Sequence, residues 1–586
     1  MKGTPLNRAG WRLWLAACLT VFAAGALLAG MAAAQDAPAR LAARFQALVQ
    51  DQGLTPEQVA LLVLSTRHRA VLVQHRATAP MPAASNTKLV TAYAALRALS
   101  PNFRWRTRIS RIAEHDGAAA TGRQGLLIEG AGDPMLLYAD LETIAQRIRA
   151  AGIRRLTGGL YLDASLYGSG TTLPDPRPVV REWLEGRDDA GGAAAPVQAG
   201  LGGAAEAAPE AGGGPSGAEA EDEQGLAPPS AFVVEHNAPE LLISLADSGP
   251  VDVLSRLPAE ALRIVSRLQP GADRRSVLRV EQAWGGAQGS ITLTGTVAPG
   301  QHTLAIPITE PAAYFAHLLR AALHRQGIEG SLPLRGELPR GSRRELLFSH
   351  FSPALREAIG PVLRDSDNLA ADGLLWTLAV HGRAAGKAGA PAVEDGLRAV
   401  RRILQQDFPG ILNEVELSDG SGLNADSRIT ARALVRVLSG ALSRPEFGPE
   451  FAGALSRAGW DGTLHYRTFP AALQGRLRAK TGTLKGVQNL TGVLPLEQDE
   501  LVFSFLIEAP GLSRVRLQTA QDQIVGALYE LLRKDEVRVP DADPLAPRVL
   551  APPPPSRKPG RKKTLNPPAP SPKPKAGESA SQAGVG

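Results

Sequence analysis

Three short stretches of this chain set a hydroxyl beside a basic group. Ser85-Asn86-Thr87-Lys88 places a lysine three residues after a serine. Pro82 stiffens the approach, and apolar residues at Leu89, Tyr93, Leu96 and Leu99 follow at helical spacing. Ser85 therefore falls at or near a helix N-terminus, with Lys88 one turn on and on the same face. A serine hydroxyl is a weak nucleophile until a neighbouring base takes its proton. A lysine does this when burial, the helix N-terminus and a second cation push it towards neutrality. Ser366-Asp367-Asn368 precedes a helical stretch at 369–380. Ser366 can pass a proton between Lys88 and a leaving group, and Asn368 can bond both Lys88 and a substrate amide. Lys480-Thr481-Gly482-Thr483 lies in a strand-like run, 477–484. Lys480 and Thr481 suit a carboxylate, and Lys480 must then stay charged, its field lowering the pKa of Lys88. Gly482 lets a ligand backbone approach. The Thr483 N–H can join that of Ser85 as an oxyanion hole. Taken singly, each stretch reads equally as a capped helix start or an exposed strand with a bulge.

The elements that must position these residues follow from periodicity. Leu41, Phe45 and Leu48 mark a helix over 39–50, and 59–64 with 70–74 form a hairpin around Arg67-His68-Arg69. Residues 355–442 are mainly helical, and three strands with tight turns follow at 477–483, 487–494 and 501–508, then a helix at 514–532. Strands at both ends with helices between them predict an α/β layer closed by the two termini. Between them, 100–345 contains many β-like runs, among them 125–129, 159–163, 232–235, 241–245 and 290–297. The expected division is a leader at 1–34, a split α/β unit at 35–100 and 346–540, an inserted β-rich block at 101–345, and a tail at 541–586.

In this order, the three motifs resemble the S-x-x-K, S-D-N and K-T-G set of penicillin-binding proteins and class A β-lactamases. The 281 residues from Ser85 to Ser366 are far more than simple β-lactamases place there. The arrangement resembles the D-alanyl-D-alanine carboxypeptidase/endopeptidase family of the penicillin-binding protein 4 type (peptidase S13), in which two extra domains are inserted between the first two motifs. Gly130-Ala131-Gly132-Asp133-Pro134, Asp419-Gly420-Ser421-Gly422-Leu423 and residues 480–492 add to the likeness, which covers about 40–535. Asp419–Leu423 reads as a Gly-rich turn under the site, outside the catalytic set. The resemblance implies an α/β (α+β) transpeptidase-like fold. It also implies a serine DD-peptidase that removes terminal D-Ala and cuts D-Ala–diaminopimelate cross-links of peptidoglycan. In it Ser85, Lys88, Ser366 and Asn368 would be catalytic, and Lys480, Thr481, Gly482 and Thr483 would bind substrate. β-Lactams would be covalent inhibitors, and no metal or cofactor would be required. A serine β-lactamase or esterase of the same fold is the nearest alternative, followed by an idle wall-binding protein and a transpeptidase. The size of the insert argues against the first, and the intact motifs against the second. Glu394, Glu414 and Glu416 all lie outside the E-x-x-L-N pattern of the class A deacylating loop.

The charge of +7 belongs to the ends: 1–34 carries +3 and 551–586 carries +6, leaving −2 on the body and no charge-based case for nucleic acid. Lys2, Arg8 and Arg12, an apolar run to Met31 and Ala32-Ala33-Ala34 read as a cleaved secretory signal, which places the mature chain in the periplasm without a membrane span. The sole cysteine, Cys18, opens rather than closes the apolar run, so it does not mark a lipoprotein. The segment 188–227 has 23 Gly or Ala and eight acids in 40 residues, and reads as a loop without chemistry. The Pro- and Lys-rich tail is too polar to bury a core and suits weak contact with anionic envelope polymers.

Overall fold

The computed structural model describes residues 39–116, 119–167, 179–185, 230–246, 249–271, 276–286, 288–382 and 391–534. The leader, the 188–227 segment and the tail lie outside them. A six-stranded sheet is ordered Ser456–Arg457, Arg478–Leu484, Val487–Pro495, Glu500–Glu508, Val59–Ser65, Ala70–His75. The N-terminal hairpin thus joins the last strands of the fold, with Val59–Ser65 antiparallel to Glu500–Glu508. Val59–Ser65 is buried throughout, and its side chains alternate between two cores. Val59, Leu61 and Val63, with Phe503, Phe505 and Ile507, face the helix at 39–51 and the helix Arg514–Lys534. Ala60, Leu62 and Leu64 face a second core built from the helices Thr87–Leu99, Leu355–Arg364, Asn368–His381, Val393–Asp407 and Ala431–Leu442. The result is three layers, with Thr87–Leu99 central to the helical side.

Between Leu99 and Leu355 the described residues form three further sheets. The first pairs the strand that enters this region, Arg106–Asp116, with the one that leaves it, Arg343–Phe351. The second is ordered Leu262–Pro270, Gly289–Val297, Ser276–Ala283, Val179–Glu185, and the third Gly300–Ala305, Glu240–Leu245, Asp252–Ser255. Two helices accompany them, Tyr138–Ala150 and Pro311–Arg325. The β-rich reading omits both, although Leu141, Ile144, Ala145 and Ile148 form a helical stripe that is buried here. The expected strand at 232–235 is also absent. Phe232, Val233 and Val234 are buried, but the chain then turns through Glu235–Asn237 with left-handed φ angles of 48°, 55° and 47°. The apolar run is held by tertiary packing, a force that local β-propensity does not report.

Candidate active site

Ser85 lies in a short 3-10 turn, Ala84–Asn86, that leads directly into the helix Thr87–Leu99. The turn is bolted to the sheet. Asn86 Nδ2 donates to Thr491 Oγ1 at 3.0 Å, and Asn489 Nδ2 donates to the carbonyls of Pro82 and Ala83 at 2.8 and 3.0 Å. Ala84 has φ 46° and Ser366 has φ 62°, both left-handed and unusual for residues with a Cβ. Each such residue costs about 1–3 kcal/mol, so the two motifs are held in place by their surroundings rather than by local preference. Gly482 lies against the turn: a Cβ there would be 3.0 Å from the Ala83 oxygen and 3.2 Å from the Ala84 Cβ. Gly422 closes the other side, where a Cβ would meet the Ala84 oxygen at 1.8 Å.

Lys88 is fully buried, and its ammonium has three partners. It lies 2.8 Å from Ser85 Oγ, 2.5 Å from Asn368 Oδ1 and 2.8 Å from the Ser421 carbonyl. Burial lowers its pKa to about 8, against the opposing pull of Asp372, Asp419 and Asp367. Of the causes the sequence offers, burial is the dominant one, and the field of Lys480 is not. Asp372 is buried and accepts the Gly420 N–H at 3.0 Å. Burial and the Asp419 charge raise its pKa to about 8, so Lys88 and Asp372 titrate in the same range.

Lys480 is also fully buried. It donates to Ser366 Oγ at 2.8 Å and to the Thr481 carbonyl at 2.8 Å. Thr481 Oγ1 donates to Thr463 Oγ1 at 2.9 Å. Burial holds Lys480 well below the ordinary lysine range, the Lys88 charge adds to this, and Asp365 only partly opposes it. Ser366 is bonded to Lys480, while the Lys88 ammonium is engaged by Ser85, Asn368 and the Ser421 carbonyl. The sequence reading requires Lys480 to hold its charge for a carboxylate, and burial works against that charge. Thr483 is at the same strand, opposite Gln488. Contacts thus join Ser85, Lys88 and Asn368, and Ser366 with Lys480, while Gly482, in the strand of Lys480, Thr481 and Thr483, lies against Ala83 and Ala84 beside Ser85.

A protein-family model for the D-Ala-D-Ala carboxypeptidase 3 (S13) family matches residues 41–182 and 216–531, spanning all three motifs. The chain belongs to this family. It is a serine hydrolase of the D-Ala-D-Ala carboxypeptidase and penicillin-binding protein class, and peptidoglycan is its substrate class. The family match breaks off between 182 and 216, within or beside the low-complexity segment. Over 489 residues the chain is 27% identical to the D-alanyl-D-alanine carboxypeptidase of Actinomadura sp. (strain R39), covering 79% of this chain and 80% of that one. It is 24% identical over 459 residues to the D-alanyl-D-alanine carboxypeptidase DacB of Haemophilus influenzae, covering 76% and 84%. The crystal structure of penicillin binding protein 4 from Haemophilus influenzae superposes with a TM-score of 0.60 at 21% identity, over 84% of this chain and 99% of that one, which shows a shared mixed α/β fold.

Three members of the site escaped the sequence reading. The Ser421 carbonyl contacts Lys88 directly, Asp372 lies behind it, and His236 approaches Asp367 to within 2.6 Å. The Asp419–Leu423 turn is where its glycines suggested, but a backbone acceptor leaves no mark in side-chain identity. Asp372 follows Asn368 by one helical turn, a spacing that put it on the same face.

Proposed function

We propose that Ser85 is the acylated nucleophile of a periplasmic DD-peptidase that removes terminal D-Ala and cuts D-Ala–diaminopimelate cross-links. The observation that carries this reading is the contact of one buried lysine, Lys88, with both Ser85 Oγ and Asn368 Oδ1. In its neutral form Lys88 accepts the Ser85 proton as Oγ attacks the D-Ala carbonyl carbon. The backbone N–H groups of Ser85 and Thr483 take the oxyanion, and Asn368 orients the substrate amide. A substrate carboxylate beside Lys480 and Thr481 favours the charged form of Lys480 and fixes the leaving residue. Ser366, held by Lys480, passes the proton of the Lys88 ammonium on to the departing amine, which leaves Lys88 neutral again. Water then attacks the ester with Lys88 again as base, releasing the peptide and restoring Ser85.

The chain is read as a catalytic unit at 35–100 and 346–540 with an inserted block at 101–345, although the inserted sheet runs on through the strand Arg343–Phe351. The export signal is the basis for the periplasmic location. Among the described residues, no helix is long and apolar enough to cross a membrane. The basic tail is a candidate contact for anionic envelope polymers. β-Lactams are expected to acylate Ser85 and leave slowly. Glu414, already outside the class A deacylating pattern, is engaged by Thr430, Arg432 and Arg436. Without a placed base, release of penicillin is expected on the order of minutes or longer, a barrier near roughly 20 kcal/mol.

The test is incubation of wild type and Ser85→Ala with cross-linked muropeptides and with benzylpenicillin, read by mass. Wild type should release D-Ala, split dimers and carry a persistent adduct on Ser85, and the variant should do none of these. Labelling of folded Ser85→Ala would refute the nucleophile. Rapid turnover of many equivalents of penicillin would favour a β-lactamase.

A further inference from the structure

One side chain from the region between the first two motifs reaches the Ser366-Asp367-Asn368 turn. His236 Nδ1 lies 2.6 Å from Asp367 Oδ2. The nitrogen is buried, and it forms an ion pair with the carboxylate when the imidazole is protonated. The rest of the ring reaches solvent, with 37% of the side chain exposed against 16% for Asp367. The turn that carries His236 is fixed at both shoulders. The Glu235 N–H donates to the Leu136 carbonyl at 3.0 Å, and Glu235 Oε1 accepts the Tyr138 N–H at 2.8 Å. Asn237 Oδ1 accepts the Val234 N–H at 3.1 Å, and Asn237 Nδ2 donates to the Phe232 carbonyl at 3.3 Å. The left-handed backbone of all three residues is thus secured by groups other than His236.

The receiving side is equally connected. Asp367 caps the helix Asn368–His381 by accepting the Ala370 N–H at 2.8 Å. Its neighbours are Ser366, strained and bonded to Lys480, and Asn368, bonded to Lys88. We propose that His236 is a positioning residue for acylation. As an imidazolium it holds Asp367, and through it Ser366 and Asn368, against the two lysines, and it screens Lys88 from the Asp367 carboxylate. This rests on the roles of Ser85 and Lys88 given above.

The surrounding charges set the direction of the effect. His236 faces Asp367, Glu235 and Glu240, and its pKa is raised, first by Asp367, with burial opposing. Burial works against the charge of Asp367, but His236, the Ala370 N–H and Lys88 outweigh it and lower its pKa. Lys88 faces Asp372, Asp419 and Asp367. Removing the imidazolium leaves Asp367 free to favour the Lys88 ammonium, so the neutral base appears only at higher pH.

The test compares wild type, His236→Gln and His236→Arg in the full chain. It measures the second-order rate of benzylpenicillin acylation, by intact mass, from acid to alkaline pH. His236→Gln should acylate about tenfold more slowly at neutral pH, with its acidic limb moved up by roughly half to one pH unit. His236→Arg keeps the positive charge and should restore both the rate and the limb. A purely structural role would slow both variants and leave the limb in place. Wild-type behaviour of His236→Gln, or equal slowing of both variants with an unmoved limb, would overturn the proposal. If His236→Gln does not fold, the His236 ring is titrated in the wild type by NMR, where a midpoint at or below the ordinary 6.5 would overturn it. An absent wild-type adduct would instead break the underlying reading of Ser85.

Discussion

Lys88 and Lys480 are the same residue type, both fully buried and both bonded to a serine hydroxyl. Their surroundings differ. Lys88 sits on a helix with Asp372, Asp419 and Asp367 around it, acids that restore part of the charge that burial removes. Lys480 sits on a strand with Asp365 in support and with Lys88 opposing it. Burial alone would make both lysines bases. The acids keep Lys88 poised near neutrality, where a base must gain and lose a proton in one cycle. In the proposed mechanism their scarcity suits Lys480 to receiving an incoming anion, so that environment and not residue type divides the two roles.

The largest effect should come from erasing the titration of Lys88. Lys88→Arg keeps a cation but cannot deprotonate near neutral pH, so acylation by penicillin and peptide hydrolysis should both fall by about 10³–10⁴. A folded Lys88→Arg protein with more than a few per cent of wild-type activity would mean that the base lies elsewhere.

Removing the anion receptor should cost less. Lys480→Met keeps the length of the side chain and loses the charge. KM for a peptide with a free terminal carboxylate should rise about 10–100-fold, the worth of one charged hydrogen bond. A substrate whose terminal carboxylate is amidated should bind wild type and variant alike. The sign of the Lys480 shift gives a companion measurement. Its pKa is held down by burial and must rise when a carboxylate docks, so binding takes up protons at any pH where Lys480 is partly neutral in the free enzyme. Calorimetry of Ser85→Ala with an acyl-D-Ala-D-Ala peptide, in buffers of different ionisation enthalpy, should show uptake that vanishes in Ser85→Ala/Lys480→Met. Equal uptake in both would remove Lys480 from the carboxylate subsite.

This comparison also marks where the sequence stops being informative. The side chains proposed to be catalytic are polar residues in short fixed spacings, and the sheet that carries Lys480 is built from strongly apolar runs, so motifs and central layer were both legible. What separates the lysines was not. Asp372 acts through a turn 48 residues away, Ser421 through a backbone oxygen, and His236 across 131 residues. None of these contacts has a local pattern. They depend on how the insert and the helical layer close on each other. The run at 232–235 failed for the same reason, since its apolar residues dock without a partner strand.

The smallest effect tests whether the acids really tune Lys88. Asp372→Asn is nearly isosteric, and its side-chain oxygen can still accept the Gly420 N–H that Asp372 takes at 3.0 Å. It removes one titrating group from a pair with pKa values of about 8. Such a pair loses its protons in two linked steps, because loss of the first makes loss of the second harder. In wild type the proton can rest on either partner, and Lys88 is fully neutral only above the second step. In Asp372→Asn a neutral amide replaces the carboxylate that favoured the ammonium, so Lys88 deprotonates in a single step at lower pH. The acidic limb of kcat/KM should therefore move down, by on the order of one pH unit, and become a one-proton curve. Near neutral pH the variant should be a few-fold faster than wild type, unlike His236→Gln, whose limb moves up. An unmoved limb in a folded Asp372→Asn protein would show that burial alone sets Lys88, and the contrast between the two lysines would then rest on Lys480 and its anion.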